Sequence, residues 1–206
     1  MAGRKSVVRE YFEALIIAVA LALFVRTFVF QAFKIPTGSM EDNLLIGDHL
    51  IVNKMVFSPS VTWIERALLP RRNITRGDIV VFKYPEDPGR DFIKRVIGLP
   101  GDRIELRGRT LYVNDAPLTE PYVQHLLPAP AEGRPRSDDV RIDYGPVTVP
   151  TGQYFMMGDN RDNSQDSRYW GFMPATYVKG QALFIYLSVG DTFGDVRWRR
   201  LLNRVR

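Results

Sequence analysis

Two patterns of apolar positions divide the chain. Residues 12 to 33, FEALIIAVALALFVRTFVFQAF, hold an apolar run from Ala14 to Val25 with no polar face. Beyond residue 40 the apolar residues come instead in short, β-branched runs: HLIVNK, DIVVFKY, DFIKRVI, DRIEL and TLYVND. Runs of that length, separated by Gly, Pro, Asn and Asp, predict the strands of a mainly β, antiparallel domain. Gly-Asp pairs at 47-48, 77-78, 101-102, 158-159 and 190-191 stand ahead of or between such runs, where turns belong. Two stretches break the β pattern. Residues 57 to 76 predict a short helix around Thr62 to Leu69, and 124 to 139 a mobile surface loop.

The first run predicts a membrane anchor. Twelve uncharged residues rise only about 18 Å of a hydrocarbon core roughly 30 Å thick, so the span recruits Tyr11 and Phe12 on one side and Thr27 to Phe30 on the other. An arginine at mid-membrane costs about 2.5 to 3.5 kcal/mol, which places Arg26 at the exit. Arg4, Lys5 and Arg9 precede the span and predict a cytoplasmic N-terminus. A cleavable leader would need small residues after Val25, where Arg, Thr and bulky aromatics stand instead. A core helix would show a polar face. The expected organisation is a cytoplasmic tail (1–10), a transmembrane anchor (11–30) and an extracytoplasmic β-rich domain (31–206), with the aromatic run FVFQAF dipping into the interface.

Composition then excludes several functions. With no cysteine among 206 residues, disulfides, thiolate nucleophiles and Cys-ligated metals are ruled out. The two histidines, His49 and His125, have no metal-ligand spacing, so no metal or cofactor is expected. The net charge of +5 does not point to nucleic acid, because five arginines (197, 199, 200, 204, 206) crowd into the last ten residues and no basic run elsewhere interleaves with aromatics. As a helix, VRWRRLLNRVR would gather Trp198, Leu201, Leu202 and Val205 on one face. Two readings of it stand equal: adsorption to an anionic membrane surface, or docking on its own domain.

Immediately after the anchor comes Pro36-Thr37-Gly38-Ser39-Met40, a tight turn with two hydroxyls. A serine nucleophile needs a base and oxyanion donors. Neither histidine lies in a run resembling a triad motif. A lysine base must be neutral, and at the ordinary lysine pKa near 10.4 only about 0.04% is neutral at pH 7, so it has to be desolvated. Arginine cannot serve. Of the six lysines, Lys5 falls on the wrong side of the membrane. Strand alternation places Lys94 beside Phe92 and Val96, Lys83 beside Ile79 and Val81, and Lys54 beside Leu50 and Val52. Those three remain candidates on physical grounds.

Four segments in fixed order carry a family resemblance: IPTGSM (35–40), RGDIVVF (76–82), FIKRVIGLPGD (92–102) and GDNRDNSQDSRYWG (158–171). Behind an N-terminal anchor, they resemble the successive boxes of bacterial signal peptidase I. The resemblance implies a membrane-bound serine endopeptidase with a Ser-Lys dyad and no cofactor, which removes signal peptides from exported preproteins after small residues at positions −1 and −3. It implies Ser39 as nucleophile, Lys94 as general base, and the Ser39 amide with the Thr37 hydroxyl as oxyanion hole. Ser164 would orient Lys94, Asp166 and Arg168 would form a supporting ion pair, and Ile35, Met40, Leu44, Phe92 and Ile93 would line the substrate pockets. It further implies a single-pass protein of the bacterial cytoplasmic membrane, with its catalytic domain on the outer face, acting as a monomer beside the secretion machinery. Asp42-Asn43 stand where the family usually has Pro-Thr, so the turn behind the nucleophile is expected to differ. The alternatives are a Ser-Lys peptidase restricted to a pilin or conjugation component, and an anchored β domain that binds exported chains without cutting them.

Overall fold

The computed structural model describes residues 7–57, 72–128, 137–190, 192 and 194–206. The helix expected at Thr62 to Leu69 lies outside them. Helix α1, Val7–Phe24, has no buried residue and leads into a π-helical turn, Val25–Val29. Eighteen residues at 1.5 Å each reach about 27 Å, and the π turn carries the 23-residue unit Val7–Val29 to the thickness of a hydrocarbon core. Among the described residues, none of the domain covers the apolar surface that this helix presents from Ala14 onward.

The aromatic run FVFQAF joins the helix to the sheet. Its second half forms β1, Phe30–Lys34, which pairs antiparallel with β2, Asp48–Asn53. Lys54 fastens the junction, its Nζ donating to the Thr27 carbonyl at 2.6 Å. Strands β3 (Ile79–Lys83), β4 (Asp91–Gly98), β5 (Arg103–Arg107) and β6 (Thr110–Val113) follow, so each of the five runs read as strands is one. The remainder are β7 (Ala116–Pro117), β8 (Tyr144–Thr148), β9 (Gln153–Met157), β10 (Met173–Pro174) and β11 (Val178–Ser188).

They form two antiparallel sheets, one ordered β1-β2-β11-β3-β4-β9-β10 and one ordered β7-β6-β5-β8. One core cluster gathers Ile35, Met40, Leu44, Leu50, Val52, Ile79, Val81 and Ile93 beneath the first half of the large sheet. A second joins the small sheet to β4 and β9 through Ile97, Ile104, Leu111, Phe155 and Met157. Burying those side chains at roughly 1.5 to 3 kcal/mol each is what opposes the entropy of ordering the chain.

The C-terminal arginine-rich stretch is not an amphipathic helix. One 3-10 turn, Trp198–Arg200, precedes extended chain that pairs with β11, where the Leu202 and Val205 amides donate to the Ile185 and Leu183 carbonyls at 2.7 and 2.9 Å. Pairing of β11 with β3 ends at Gln181, and the tail takes backbone groups of β11 beyond it. Of the two readings, docking on its own domain is the one observed. Part of the stretch read as a mobile loop is also pinned: the Gln124 amide donates to the Asp159 carbonyl at 2.9 Å, and the Leu126 and Leu127 amides donate to Asp162 at 2.7 and 2.8 Å.

Candidate active site

Ser39 lies in the turn between β1 and β2, and Lys94 in the middle of β4. Lys94 Nζ is 2.5 Å from Ser39 Oγ, with both side chains buried. Lys83, the second candidate base, is exposed at the end of β3, and Lys54 is committed to the Thr27 carbonyl. Burial pushes the Lys94 ammonium down to about 8, against the pull of the Asp166 and Asp159 carboxylates and with the help of the Arg168 guanidinium. The Phe92 ring, its centroid 5.3 Å from Nζ, forms part of the apolar wall.

The Ser39 turn is held from the opposite side by the last sequence box. The Asn160 amide donates to the Ser39 carbonyl at 3.2 Å, and Asn160 Nδ2 reaches the Gly38 carbonyl and Glu41, each at 3.3 Å. Among the described residues no group accepts from the Ser39 amide, so that N–H is available to a developing anion. Thr37 is exposed beside it on the cleft wall. At Gly158 the backbone passes so close to Ser39 and Ser164 that a Cβ would collide with the Ser39 carbonyl and with Ser164 Oγ. Only glycine fits there.

Asp166 and Arg168 form a buried ion pair, with guanidinium nitrogens 2.8 Å from both carboxylate oxygens. Burial works to raise the Asp166 carboxyl, but the Arg168 charge and hydrogen bonds, together with the Gly158 amide, hold it below its ordinary range. Asp166 also caps the short helix α2, Ser167–Trp170, by accepting from the Arg168 amide. Ser164 lies on the cleft wall with Ser39 and Lys94, its Oγ buried; the bond to Lys94 that the resemblance implied is not formed, and Lys94 bonds Ser39 instead.

The cleft, about 540 Å³, runs between Pro36-Thr37 and residues 162 to 165, with Arg90 to Lys94 as its floor. Phe92 and Ile93 line it. Ile35, Met40 and Leu44 do not: they are at most 2% exposed in the core under the catalytic turn. Met40 and Leu44 lie four apart on one helical turn, closed by Leu44 N donating to the Met40 carbonyl at 2.8 Å, so both point inward. The departure at Asp42-Asn43 has a structural counterpart, since Asn43 Nδ2 donates to Asp159 at 2.6 Å and ties the turn to the last box.

The cleft also has a strand edge that no sequence pattern announces. Val96 exchanges backbone hydrogen bonds with Gly77 and Asp78, and antiparallel alternation then directs the backbone of Phe92 and Lys94 to β3. The backbone groups of Asp91 and Ile93 face the other way, where β9 pairs only from Arg95 onward. Among the described residues they form an unpaired strand edge along the cleft.

This geometry coincides with kinship over most of the chain. A family profile described as "Signal peptidase, peptidase S26" matches residues 8–187. The chain belongs to that family. Signal peptidase I of Pseudomonas aeruginosa is 35% identical over 209 residues, covering 88% of this chain and 73% of that protein. Signal peptidase I of Bacillus amyloliquefaciens is 38% identical, covering 88% of this chain and 86% of that protein. The probable signal peptidase I-2 of Synechocystis is 40% identical, with 87% and 73% covered. As a member of the family the chain is a serine endopeptidase, and its apolar N-terminal helix is consistent with a single-pass anchor.

Proposed function

We propose that the protein is a membrane-anchored peptidase that removes N-terminal signal peptides from exported preproteins by a Ser39–Lys94 dyad. The observation that carries this reading is the 2.5 Å approach of a desolvated lysine to a serine hydroxyl. With its pKa near 8, about a tenth of Lys94 is neutral at pH 7, some two orders of magnitude more than an exposed lysine.

Neutral Lys94 takes the Ser39 proton as Oγ attacks the scissile carbonyl, and the oxyanion is met by the Ser39 amide and the Thr37 hydroxyl. The Lys94 ammonium then protonates the departing amine, leaving an ester on Ser39. Lys94, neutral again, takes a proton from the water that attacks the ester and passes it to the departing Ser39 Oγ, which frees the signal peptide and restores the dyad. Ser164 borders the same wall without a bond to the Lys94 amine, and the Asp166–Arg168 pair fixes the loop that carries it.

An extended substrate adds to the free edge at Asp91 and Ile93, sending alternate side chains into the enzyme. Phe92 and Ile93 bound the pockets, while Ile35, Met40 and Leu44 pack in the core beneath the Ser39 turn. A large or charged side chain beside Phe92 and Ile93 would clash or be buried without a partner, which favours small residues at −1 and −3. The helix Val7–Val29 anchors the chain in the bacterial cytoplasmic membrane, N-terminus inside and domain outside. It thereby concentrates Ser39 where signal peptides leave the bilayer. The test is incubation of a secreted precursor with wild-type protein and with Ser39→Ala, followed by N-terminal sequencing. The wild type should generate a new N-terminus after a small residue and Ser39→Ala none. Equal processing by both would remove Ser39 from the mechanism.

A further inference from the structure

In the large sheet β2, β11 and β3 lie between β1, which leads into the Ser39 turn, and β4, which carries Lys94. The dyad needs a Ser39–Lys94 contact good to a few tenths of an ångström, so something has to hold the turn over a strand that does not adjoin it. Asn160 and Asn43 supply part of that hold. The rest comes from the arginine-rich tail, which follows the region matched by the family profile.

Arg200 grips the chain just behind the nucleophile. Its guanidinium donates to the Asn43 carbonyl at 2.8 Å and to Asp48 at 2.6 and 3.1 Å. Asp48 has no exposed surface, and the same carboxylate accepts from the Leu45 amide at 2.8 Å. Arg197 adds a bond to the Ile46 carbonyl at 3.0 Å. Residues 43 to 48 are thus tied to the tail at three points. At its other end the tail reaches the base's strand, where the Arg206 carbonyl accepts from Arg95, the neighbour of Lys94, at 2.8 Å. Between these ends it is stitched to β11 and packs Val205 into the core that contains Ile35, Met40 and Leu44.

We propose that the tail, Arg197 to Arg206, is a brace between the two halves of the dyad, and that Arg200 is a positioning residue for the Ser39 turn. This rests on the reading of Ser39 and Lys94 as the catalytic pair. Arg200 touches no reacting atom. It acts by fixing Asn43 and Asp48, and so the turn that begins at Ser39.

The test compares full-length wild type, Arg200→Ala, Arg200→Lys and the pair Asp48→Asn/Arg200→Gln in detergent, with kcat and KM for one precursor and the folded fraction by circular dichroism. Displacing the turn by an ångström without altering the substrate edge should lower kcat about ten- to hundredfold in Arg200→Ala, with KM within about twofold. The neutral pair keeps a hydrogen-bonded bridge and should recover most of that kcat. Lysine reaches Asp48 but not the Asn43 carbonyl as well, and should recover it only in part. If Arg200→Ala does not fold, Arg200→Lys carries the test with a severalfold loss of kcat. A kcat within twofold of wild type in every folded Arg200 variant, or a loss no larger than the loss of folded protein, overturns the brace. Ser39→Ala run alongside separates the two readings: if it stays active the dyad fails, and if it is inactive while Arg200 variants are unimpaired only the brace fails.

Discussion

Arg95 and Asp159 form a two-point ion pair, at 2.8 and 2.7 Å, on the residue of β4 next to Lys94. Both side chains are almost fully buried, and the Asp159 carboxylate is one of the charges that draw the Lys94 pKa upward. Arg95 therefore does two things: it satisfies a carboxylate that has no water, and it limits how far that carboxylate favours a protonated lysine.

Removing Arg95 should expose both effects. Arg95→Gln leaves Asp159 buried without its counter-charge, a loss on the order of 3 to 5 kcal/mol in stability. It should also shift the pH–rate limb to higher pH, because an uncompensated carboxylate favours the charged lysine. Adding Asp159→Asn should reverse most of both changes. Denaturant melts and pH–rate profiles of the two variants check this, and a double variant as unstable as the single one would contradict it.

Lys94 should cost the fold stability in exchange for function. Its folded pKa of about 8 lies below the unfolded value near 10.4. Between those values the unfolded chain binds more protons, so stability rises with pH across that window and the penalty is fully present below pH 8. Lys94→Met should therefore be inactive yet more stable than wild type at pH 7, by about 1 to 3 kcal/mol. That margin should fall to less than half by pH 9.5. Chemical denaturation at the two pH values measures it, and a margin that does not shrink would mean the lysine is not desolvated.

Gly158→Ala tests the fit of the last box against the nucleophile. The new methyl group meets the Ser39 carbonyl, a backbone atom that cannot rotate aside, and Ser164 Oγ. Moving the Ser39 turn should lower kcat about a hundredfold. Wild-type kinetics in this variant would show that the turn has slack which the structure does not allow.

The strands and the N-terminal apolar helix were readable because each is a local pattern. HLIVNK, DIVVFKY and DFIKRVI announce β2, β3 and β4 through β-branched runs between turn residues, and the run Ala14 to Val25 announces the apolar helix through its lack of any polar face. What local patterns do not hold is register. Alternation gave Lys94, Lys83 and Lys54 equal standing, and only a register that carries the Ser39 turn across to β4 puts one of them within reach of its hydroxyl. Ile35, Met40 and Leu44 show the same limit from the other side: their positions next to the nucleophile are sequence facts, but the helical turn from Met40 to Leu44 points that pair into the core, where Ile35 joins them. The arginine-rich tail misled because its 3.6-residue periodicity is real. The stretch of β11 that β3 leaves unpaired beyond Gln181 nonetheless gave the tail's backbone partners in the sheet. The free edge at Asp91 and Ile93 had no sequence signal at all, since it arises from where β9 stops pairing.

That a buried, largely desolvated Lys94 is the base is tested most directly by the pH dependence of precursor cleavage by the wild-type protein. Each turnover begins with neutral Lys94, so the rate should rise with pH along a single limb whose apparent pKa is about 8. A limb near 6.5 would identify a histidine as the base, and a rate that still climbs past pH 10 would mean a solvated lysine; either result contradicts the dyad as described.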